Sequence, residues 1–593
     1  MGCGASRTNG PVAVQAGATA AVVVEDKTQS SKPNKDFFDA PDLSGTALVK
    51  AWPAKADGTV CIPEIEDPDF GIPALISEKL PLAICISGGG FRAATLGLGW
   101  LRGLHNLGVL EKAQYLVTCS GSSWLASALC FQRVTSTDAF LGPYLAPDQC
   151  DLEKLENVGP KGRTAASVMA DAEPMYDYFK EVAGGLFARE EDATKRARAW
   201  TKAITAAFLE PYELGDTDTS TVTCCGTKVM VLAHERIIYY PLEWTPLYSG
   251  CPVRHSETRP KLGAGWVETM GLNALLVGEP EPTSCPTGAV HVRVRACGPA
   301  SLGEATGISS SYISMQQAMA RKKAPRILGF NTAQYFDLQE WHCSNVELSD
   351  GGAVDYHAIY PALRRRVPSI IVCSATRTEV DDPTFASYMM ELAGMFGCWP
   401  GQPEAPEPNL EEYNKMQQVF PSEGWSELCQ ALRDSNQAGL PPVHVNEYEV
   451  MSNSSLGISG GWRVRVMWVI NQRQPVWEAA LPQATRERLE SDRKGLIAKV
   501  EEALNPLDAD TLRMFPHVST FSMNYTPQLV GMMSNHAAYM MMSSKSAVQG
   551  MVAAAEAARA AKAEAAKEEA KGGTKGGGEA EVVKARGPQN EVV

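Results

Sequence analysis

A short apolar run, followed by a serine and three consecutive glycines, constrains the fold of this chain most. The run covers residues 82–86, and Ser87-Gly88-Gly89-Gly90 follows it directly. Gly108, a typical C-terminal cap, ends the stretch that follows. Within it the apolar residues recur at helical spacing: Leu96, Trp100, Leu101, Leu104 and Leu107. The pattern predicts a buried strand, a tight loop and a helix over residues 91–107. Glycine amides at the start of a helix can approach and stabilise a negative charge.

The glycine loop alone leaves several interpretations open. Gly88, Gly90 and Ala93 also fit a G-x-G-x-x-A dinucleotide fingerprint, and an ordinary strand-to-helix turn would look similar. A dinucleotide site would need an acidic residue at the end of the next strand. The chain instead has Ser120 after the predicted strand at residues 115–119. This favours a charge-stabilising loop beside a serine.

The segment around Ser120 has the pattern of a nucleophile elbow. It reads Thr118-Cys119-Ser120-Gly121-Ser122-Ser123-Trp124, so small residues flank the serine. A serine held between a strand and a helix exposes its hydroxyl above the sheet. The alternative is an ordinary serine N-cap of the following helix. The position after a strand predicts Ser120 as a nucleophile.

Together with a third motif, these two segments resemble a known family. An S-G-G-G-[FY]-R loop that is followed, after one helix, by an S-G-[SG]-S-W elbow is similar to the cytosolic phospholipase A2 and patatin families. The third match, Leu348-Ser349-Asp350-Gly351-Gly352, resembles the D-G-G element that supplies the family's catalytic aspartate. Two weaker matches are Glu243-Trp244-Thr245-Pro246 and Phe515-Pro516-His517-Val518-Ser519-Thr520-Phe521. The resemblance extends over roughly residues 80 to 540.

This resemblance implies a lipid acyl hydrolase with a Ser120/Asp350 dyad. Asp350 would take the proton of Ser120 as the hydroxyl attacks an ester carbonyl, and water would later hydrolyse the acyl-enzyme. The substrate would be a phospholipid or another glycerolipid at a membrane surface, cleaved without a cofactor or a metal.

The resemblance also assigns roles to the glycine loop and the arginine after it. The amides of Gly88, Gly89 and Gly90 would form the oxyanion hole. Arg92 would bind the phosphate of a lipid headgroup; the alternative is a structural ion pair or a contact at the helix start.

Two positions depart from the family pattern. Thr118 stands where a G-x-S elbow has glycine, and Asp355-Tyr356-His357 stands where E-N-x-G is usual. The first change bears on the strain of the elbow, although Gly121 still permits close packing of helix and sheet. The second lies outside the dyad.

Two other functions remain open from the sequence. A Ser-Asp-His triad could use His444, His517 or His536 as its base, although the glycines of G-x-S-x-G are missing. His517 fits a buried structural histidine better. A membrane-bound lipid-binding scaffold with a decayed active site is the other alternative, and the intact serine, aspartate and glycine loop make it less attractive.

Candidate strands alternate with helical stretches through the middle of the chain. Apolar runs predict strands at residues 229–233, 292–296, 369–373 and 464–470, and a helix at residues 356–366. Two helical patterns occupy residues 173–208; the second is basic, and we favour packing on the core over a lid that meets lipid. The alternation predicts an α/β fold with a large mixed central sheet covered by helices, as in the catalytic domain of the resembled family.

Composition divides the chain into one domain and two tails. Residues 1–36 lack helical or strand periodicity and predict a flexible tail, whereas residues 37–546 form the predicted hydrolase domain. Residues 547–593 are rich in Ala, Glu and Lys and then in Gly, which predicts a helix followed by a disordered end.

Charge and cysteine content narrow the class of protein. A net charge of -14 disfavours nucleic acid as a partner, because phosphate neutralisation needs a basic excess. The 15 cysteines are scattered and form no repeated C-x-x-C pairs, which favours a reducing, cytoplasmic compartment without a metal site. No run of 18 or more apolar residues occurs, no secretory leader is evident, and no motif points to a protein partner.

The N-terminus predicts peripheral attachment to a membrane. Met1-Gly2-Cys3-Gly4-Ala5-Ser6 fits the M-G-x-x-x-[ST] pattern for myristoylation of Gly2, and Cys3 is available for palmitoylation. One myristoyl chain binds only marginally, so both modifications are expected for a stable anchor.

Overall fold

The computed structural model describes most of the chain. It covers residues 45–70, 78–171, 175, 178, 193–214, 223–231, 236–254, 263–297, 301–312, 331–400, 410–494, 508–509, 512–520 and 522–573. The strands are β1 Ala47–Pro53, β2 Leu80–Ile86, β3 Ala113–Cys119, β4 Thr223–Val231, β5 Arg236–Trp244, β6 Tyr248–Cys251, β7 Gly265–Glu268, β8 Ala274–Leu276, β9 Glu281–Pro282, β10 Val290–Ala296, β11 Asn331–Phe336, β12 Cys343–Ser349, β13 Ser369–Ser374, β14 Val443–Val450, β15 Trp462–Ile470, β16 Asp508–Ala509 and β17 Asn524–Tyr525.

Helices surround these strands and connect many of them. They are α1 Pro63–Glu66, α2 Gly90–Asn106, α3 Gly121–Phe131, α4 Thr137–Leu141, α5 Leu152–Glu156, α6 Ala165–Met169, α7 Ala193–Ile204, α8 Leu302–Ser309, α9 Gly352–Asp355, α10 Tyr360–Arg364, α11 Phe385–Tyr388, α12 Met390–Met395, α13 Leu410–Gln417, α14 Glu423–Gln437, α15 Pro475–Ala479, α16 Gln483–Lys494, α17 Pro527–Ser543 and α18 Lys545–Gly573.

One large mixed sheet forms the centre of the protein. Its strand order is β14-β15-β13-β2-β3-β4-β5-β6-β7-β1-β10-β8, and β11 and β12 branch from β4. The pairs from β15 through β13, β2 and β3 to β4 are parallel, whereas the pairs beyond β4 are antiparallel. This confirms the predicted α/β class with a large mixed sheet.

The parallel part of the sheet is buried on both faces, as parallel strands usually are. In β2, Ile84 and Ile86 belong to one apolar cluster, and Ala83 and Cys85 belong to another on the opposite face. The first cluster contains residues of α2, α17 and α18, and the second contains residues of α10, α12 and α14. Residues of β2 alternate between the two clusters because successive side chains of a strand point to opposite faces of the sheet.

Close packing of α2 against α17 fixes the helix that follows the glycine loop. A Cβ atom at Gly99 would lie 2.0 Å from the carbonyl oxygen of Ser534, and one at Gly103 would lie 2.5 Å from the Cβ of Met541. Larger residues at these two positions would push the helices apart. Glycine therefore sets the distance between α2 and its neighbour.

Most predicted elements in the described residues appear with shifted ends. The helix predicted over residues 356–366 is shorter, because the carboxylate of Asp355 accepts hydrogen bonds from the amides of Ile359 and Tyr360 and α10 begins only at Tyr360. The strand predicted at residues 229–233 begins earlier, at Thr223, since β5 and β12 pair with it on both sides. Of the first helical pattern in residues 173–208, only Met175 and Tyr178 are described, and both are buried.

The last helix is partly built into the core. Val548, Met551 and Ala555 of α18 are buried, and the Ser369 hydroxyl of β13 donates to the Met551 carbonyl oxygen at 3.0 Å. The tail boundary predicted at residue 547 therefore falls inside a packed segment, and the described residues of α18 after Ala555 are mostly exposed. Within the described residues, no helix is both long and apolar enough to cross a membrane.

Candidate active site

Ser120 occupies a strained turn between β3 and α3. Its backbone has a φ of 54° and a ψ of -128°, a conformation that non-glycine residues rarely adopt. The residue is 7% exposed. Strain of this kind is the feature that turns a nucleophile hydroxyl out above a sheet. Thr118, the departure from the elbow pattern, is buried and does not prevent the turn.

Asp350 lies at the end of β12 and faces the serine directly. The Ser120 hydroxyl donates a hydrogen bond to Oδ2 of Asp350 at 3.0 Å. The other carboxylate oxygen, Oδ1, accepts from the Gly352 amide at 2.7 Å. The structure thus brings together the two residues predicted as a dyad, although 230 positions separate them in the sequence.

Burial changes the acid–base behaviour of Asp350. The side chain is 1% exposed, and its removal from water raises its pKa to about 7, against the smaller lowering effects of the hydrogen bonds from Gly352 and Ser120. Burial disfavours the charged form of a carboxyl group. A carboxylate with a pKa near neutrality is a far better proton acceptor than an ordinary aspartate.

The glycine loop crosses directly beside Ser120. A Cβ atom at Gly88 would lie 3.1 Å from the Ser120 Cβ. The Gly88 amide, however, donates to the Tyr356 carbonyl oxygen at 2.8 Å, so it is occupied and not free for an oxyanion. Among the described residues, the amides of Gly89 and Gly90 donate to no acceptor. The amides that remain available for the predicted oxyanion hole are therefore those of Gly89 and Gly90, at the N-terminus of α2.

Arg92 is buried behind this loop. Its side chain is 1% exposed; Nε donates to the Ala375 carbonyl oxygen at 2.8 Å, and Nη1 donates to the Val518 carbonyl oxygen at 2.6 Å and to the Thr520 hydroxyl at 3.1 Å. One guanidinium thus joins the loop to the ends of two distant segments. These contacts favour the structural alternative for Arg92, and the headgroup role stays a prediction.

Two residues that the sequence pattern did not identify complete the surroundings of the serine. Ser309, at the end of α8, accepts a hydrogen bond from the Ser120 amide at 3.1 Å through its hydroxyl. Tyr356 holds Gly88 through its carbonyl oxygen and places its ring against the same glycine. Tyr356 could have been found from its position after the D-G-G element, whereas no local signal marks Ser309.

The histidines proposed for a triad lie in other environments. His517 contacts Glu379 at 2.9 Å and the Thr376 carbonyl oxygen at 3.2 Å, and His536 is fully buried beside Gln474. His444 is on β14, at the edge of the sheet. In the part of the chain described, none of the three forms a hydrogen bond with Ser120 or Asp350, which favours the dyad.

The weaker match at Glu243 forms a buried ion-pair network with two arginines at the C-terminal end of α10. Arg364 and Arg365 each bind one oxygen of Glu243, at 2.6 and 2.9 Å, and Arg365 also binds Glu64 at 2.8 Å. The four side chains are between 1% and 5% exposed. Glu243 lies near the end of β5, in the antiparallel part of the sheet, and the arginines precede β13, in the parallel part. The network therefore connects the two parts of the sheet.

The acylation residues Gly2 and Cys3 lie outside the described part of the chain. The same holds for the whole predicted tail of residues 1–36.

Comparison with known proteins gives one family match and several similar proteins. Residues 82–212 match the model of the lysophospholipase catalytic domain. A segment of 91 residues is 40% identical to cytosolic phospholipase A2 zeta of Mus musculus, and it covers 15% of this chain and 10% of the mouse protein. The matched part is thus a small fraction of that relative's length.

Solved structures of a human protein overlap a larger part of the chain. Human GIVD cytosolic phospholipase A2 is 13% identical in sequence and gives a TM-score of 0.37. The aligned part covers 81% of this chain and 61% of the human chain. The same protein in complex with methyl gamma-linolenyl fluorophosphonate and terbium chloride is 14% identical, with 81% and 60% coverage and a TM-score of 0.35.

The segment matched by the family model contains the glycine loop, α2, the elbow and Ser120, whereas Asp350 lies beyond it. The resemblance to the cytosolic phospholipase A2 family, predicted from three short motifs, is therefore confirmed, and residues 82–212 match the lysophospholipase catalytic-domain model.

Proposed function

We propose that this protein is a lipid acyl hydrolase in which Ser120 attacks a fatty acyl ester and Asp350 accepts its proton. The observation that carries the proposal is the 3.0 Å hydrogen bond between the hydroxyl of a conformationally strained serine and a buried carboxylate. The family match over residues 82–212 supports a phospholipase A2 or lysophospholipase type of reaction.

The reaction would proceed in two steps. As Oγ of Ser120 bonds to the ester carbonyl carbon, its proton passes to Oδ2 of Asp350 and the negative charge of the tetrahedral intermediate lies on the former carbonyl oxygen. Collapse expels the alcohol, which takes the proton back, and leaves an acyl-serine. Water then attacks the acyl-serine, with Asp350 again accepting and returning the proton, and a fatty acid leaves.

Gly89 and Gly90 would stabilise the intermediate. Their amides point from the N-terminal end of α2, where the partial positive charge of the helix adds to the hydrogen bonds. The buried guanidinium of Arg92 lies behind them, 2.9 Å from the position of a Cβ atom at Gly89, and contributes further positive potential. Loss of one such amide typically costs about 10²–10³ in kcat.

A serine-directed fluorophosphonate tests this function directly. We expect wild type to be labelled once, at Ser120, and Ser120→Ala and Asp350→Asn to lose both labelling and hydrolysis of a phospholipid and lysophospholipid panel. The matched control is Asp355→Asn, because Asp355 is also buried but binds the amides of Ile359 and Tyr360 instead of the serine. It should keep its labelling.

The same experiment separates the alternatives. Labelling that survives in Ser120→Ala would refute the dyad, and a wild-type protein that binds lipid vesicles but is neither labelled nor active would favour a scaffold. Loss of activity in His517→Gln with unchanged stability would favour a triad.

Membrane attachment through acylated Gly2 and Cys3, on the cytoplasmic side, is part of the proposal. A dually acylated chain would place the enzyme beside an insoluble substrate. We expect Gly2→Ala to move the protein from the membrane to the soluble fraction of cells, with Cys3→Ser bound loosely. A Gly2→Ala protein that still sediments with membranes would refute the anchor.

A further inference from the structure

A cavity of about 640 Å³ lies beside the C-terminal half of α2, away from the dyad. Its volume falls within the ~300–1,000 Å³ of typical small-molecule sites. Arg102, which lines it, follows Arg92 by ten helical positions, or about 15 Å along the axis. The cavity is therefore separate from the proposed active site.

Arg102 is the unusual residue of this cavity. The residue is 4% exposed. Nε donates to the Leu141 carbonyl oxygen at 2.9 Å, and Nη1 donates to the Ser534 hydroxyl and to Oδ1 of Asn535, each at 3.3 Å. These partners are all neutral, and within the described residues no carboxylate pairs with Arg102. A buried cation without a counter-charge is costly for a folded protein.

The remaining nitrogen of this guanidinium faces the cavity wall. Nη2 lies 3.7 Å from the position of a Cβ atom at Gly142, itself a lining residue, and it donates to no acceptor in the described part of the chain. Burial also lowers the pKa of Arg102 to about 10, so the group stays charged at neutral pH. The site thus offers one positive charge and the two N–H donors of Nη2.

Several other lining residues would contact the apolar part of a ligand. Pro143, Leu145, Leu155 and Val158 contribute apolar surface to the wall. Lys154 and Arg163 also line the cavity, as does the carboxylate Asp138, which is bound by His105 at 2.9 Å. Lys154 is paired with Asp151 at 2.7 Å, so Arg102 and Arg163 are the cations of the lining that no carboxylate pairs with in the described residues.

We propose that this cavity binds a fatty carboxylate of medium chain length, with the carboxylate on Arg102 and the alkyl chain against the apolar wall. One buried cation with unused N–H donors on a single nitrogen suits a singly charged carboxylate better than a phosphate, which carries more charge and more acceptor oxygens. The proposal does not rest on the proposed hydrolase activity, because binding is its readout.

Calorimetric titration of the full chain with decanoate, below its micelle concentration, tests the site. We expect one decanoate per chain in wild type and in Ser120→Ala, and at least ten-fold weaker binding in Arg102→Gln. Arg463→Gln is the matched control, since that arginine is on β15 with a 71% exposed side chain, and it should bind as wild type does.

Additional ligands and a second variant keep the test decisive. Val158→Trp should weaken binding by filling the cavity, even if Arg102→Gln fails to fold. Decanol should bind at least ten-fold more weakly than decanoate. Equal binding of decanol, unchanged affinity in Arg102→Gln or Val158→Trp, or displacement of decanoate by equimolar inorganic phosphate would each overturn the proposal.

Discussion

Gly121 lies so close to Gly90 that a Cβ atom at position 121 would come within 2.1 Å of the Gly90 carbonyl oxygen. The first residue of α3 therefore touches the first residue of α2, and the elbow rests directly on the glycine loop. This contact sets the position of the Ser120 hydroxyl relative to the amides of Gly89 and Gly90.

Replacement of Gly121 tests this contact. Gly121→Ala must displace the loop backbone, because the clash is with a carbonyl oxygen and not with a flexible side chain. We expect kcat/KM for a soluble ester to fall at least ~100-fold, since misplacement by about 1 Å costs that much. Thermal unfolding should also shift to lower temperature.

Gly550→Ala provides the control for this variant. Gly550 lies in α18 and has open space around the position of a Cβ atom. Alanine should stabilise the helix by roughly 0.5–1 kcal/mol and leave activity unchanged. If Gly121→Ala behaved like Gly550→Ala, the contact between the two loops would not position the serine.

The buried ion-pair network is expected to contribute strongly to stability. Glu243→Gln would leave Arg364 and Arg365 buried with one fewer negative charge, which typically costs about 3–5 kcal/mol. Chemical denaturation measures this loss. Glu447→Gln is the control, because its side chain is 51% exposed beside Arg463 and Arg465 and should cost about 1 kcal/mol or less. Equal losses in the two variants would contradict the network's role.

The local parts of the site could be predicted from the sequence, and the long-range parts only by resemblance. The strand, glycine loop and helix up to Gly108 are encoded by apolar spacing and glycines within one stretch. The pairing of Ser120 with Asp350 spans 230 positions, so no periodicity reports it. Only the D-G-G motif indicated it.

Other features escaped prediction for identifiable reasons. Ser309 binds the Ser120 amide from 189 positions away and belongs to no motif. The occupied amide of Gly88 depends on the backbone of Tyr356, which a side-chain pattern does not show. The packed start of α18 was missed because its Ala-rich composition resembles a solvated helix, although Val548 and Met551 are buried.

The raised pKa of Asp350 predicts how activity depends on pH. The proposed base must be ionised, so kcat/KM should rise with pH through about 7 and then level off. A profile already flat between pH 5 and 8 would show that Asp350 ionises as an ordinary aspartate.

The same group predicts an opposite effect on stability. Because the pKa of Asp350 is raised in the folded state, its favourable contribution is present at low pH and is lost as pH rises towards about 7. Asp350→Asn removes the buried charge, so it should be more stable than wild type at pH 8, by roughly 2–4 kcal/mol, and the difference should shrink by pH 4. Denaturant unfolding at both pH values measures it, and a less stable variant at pH 8 would contradict the argument.

Replacement of Arg92 distinguishes its two possible roles, a contact with the lipid headgroup and a structural contact. Its Nε and Nη1 atoms bind the carbonyl oxygens of Ala375 and Val518 in different directions, and a lysine ammonium cannot replace that fork. We expect Arg92→Lys to lower kcat/KM by similar factors for a phospholipid and for a neutral ester with the same acyl chain, and to lower thermal stability. Ser120 labelling by fluorophosphonate should slow in proportion, since the glycine loop would be displaced.

Arg377→Lys is the control, because that arginine is exposed and stacks on the ring of Tyr388 at 5.0 Å. A loss in Arg92→Lys confined to the phospholipid, with unchanged stability, would instead establish Arg92 as a headgroup ligand.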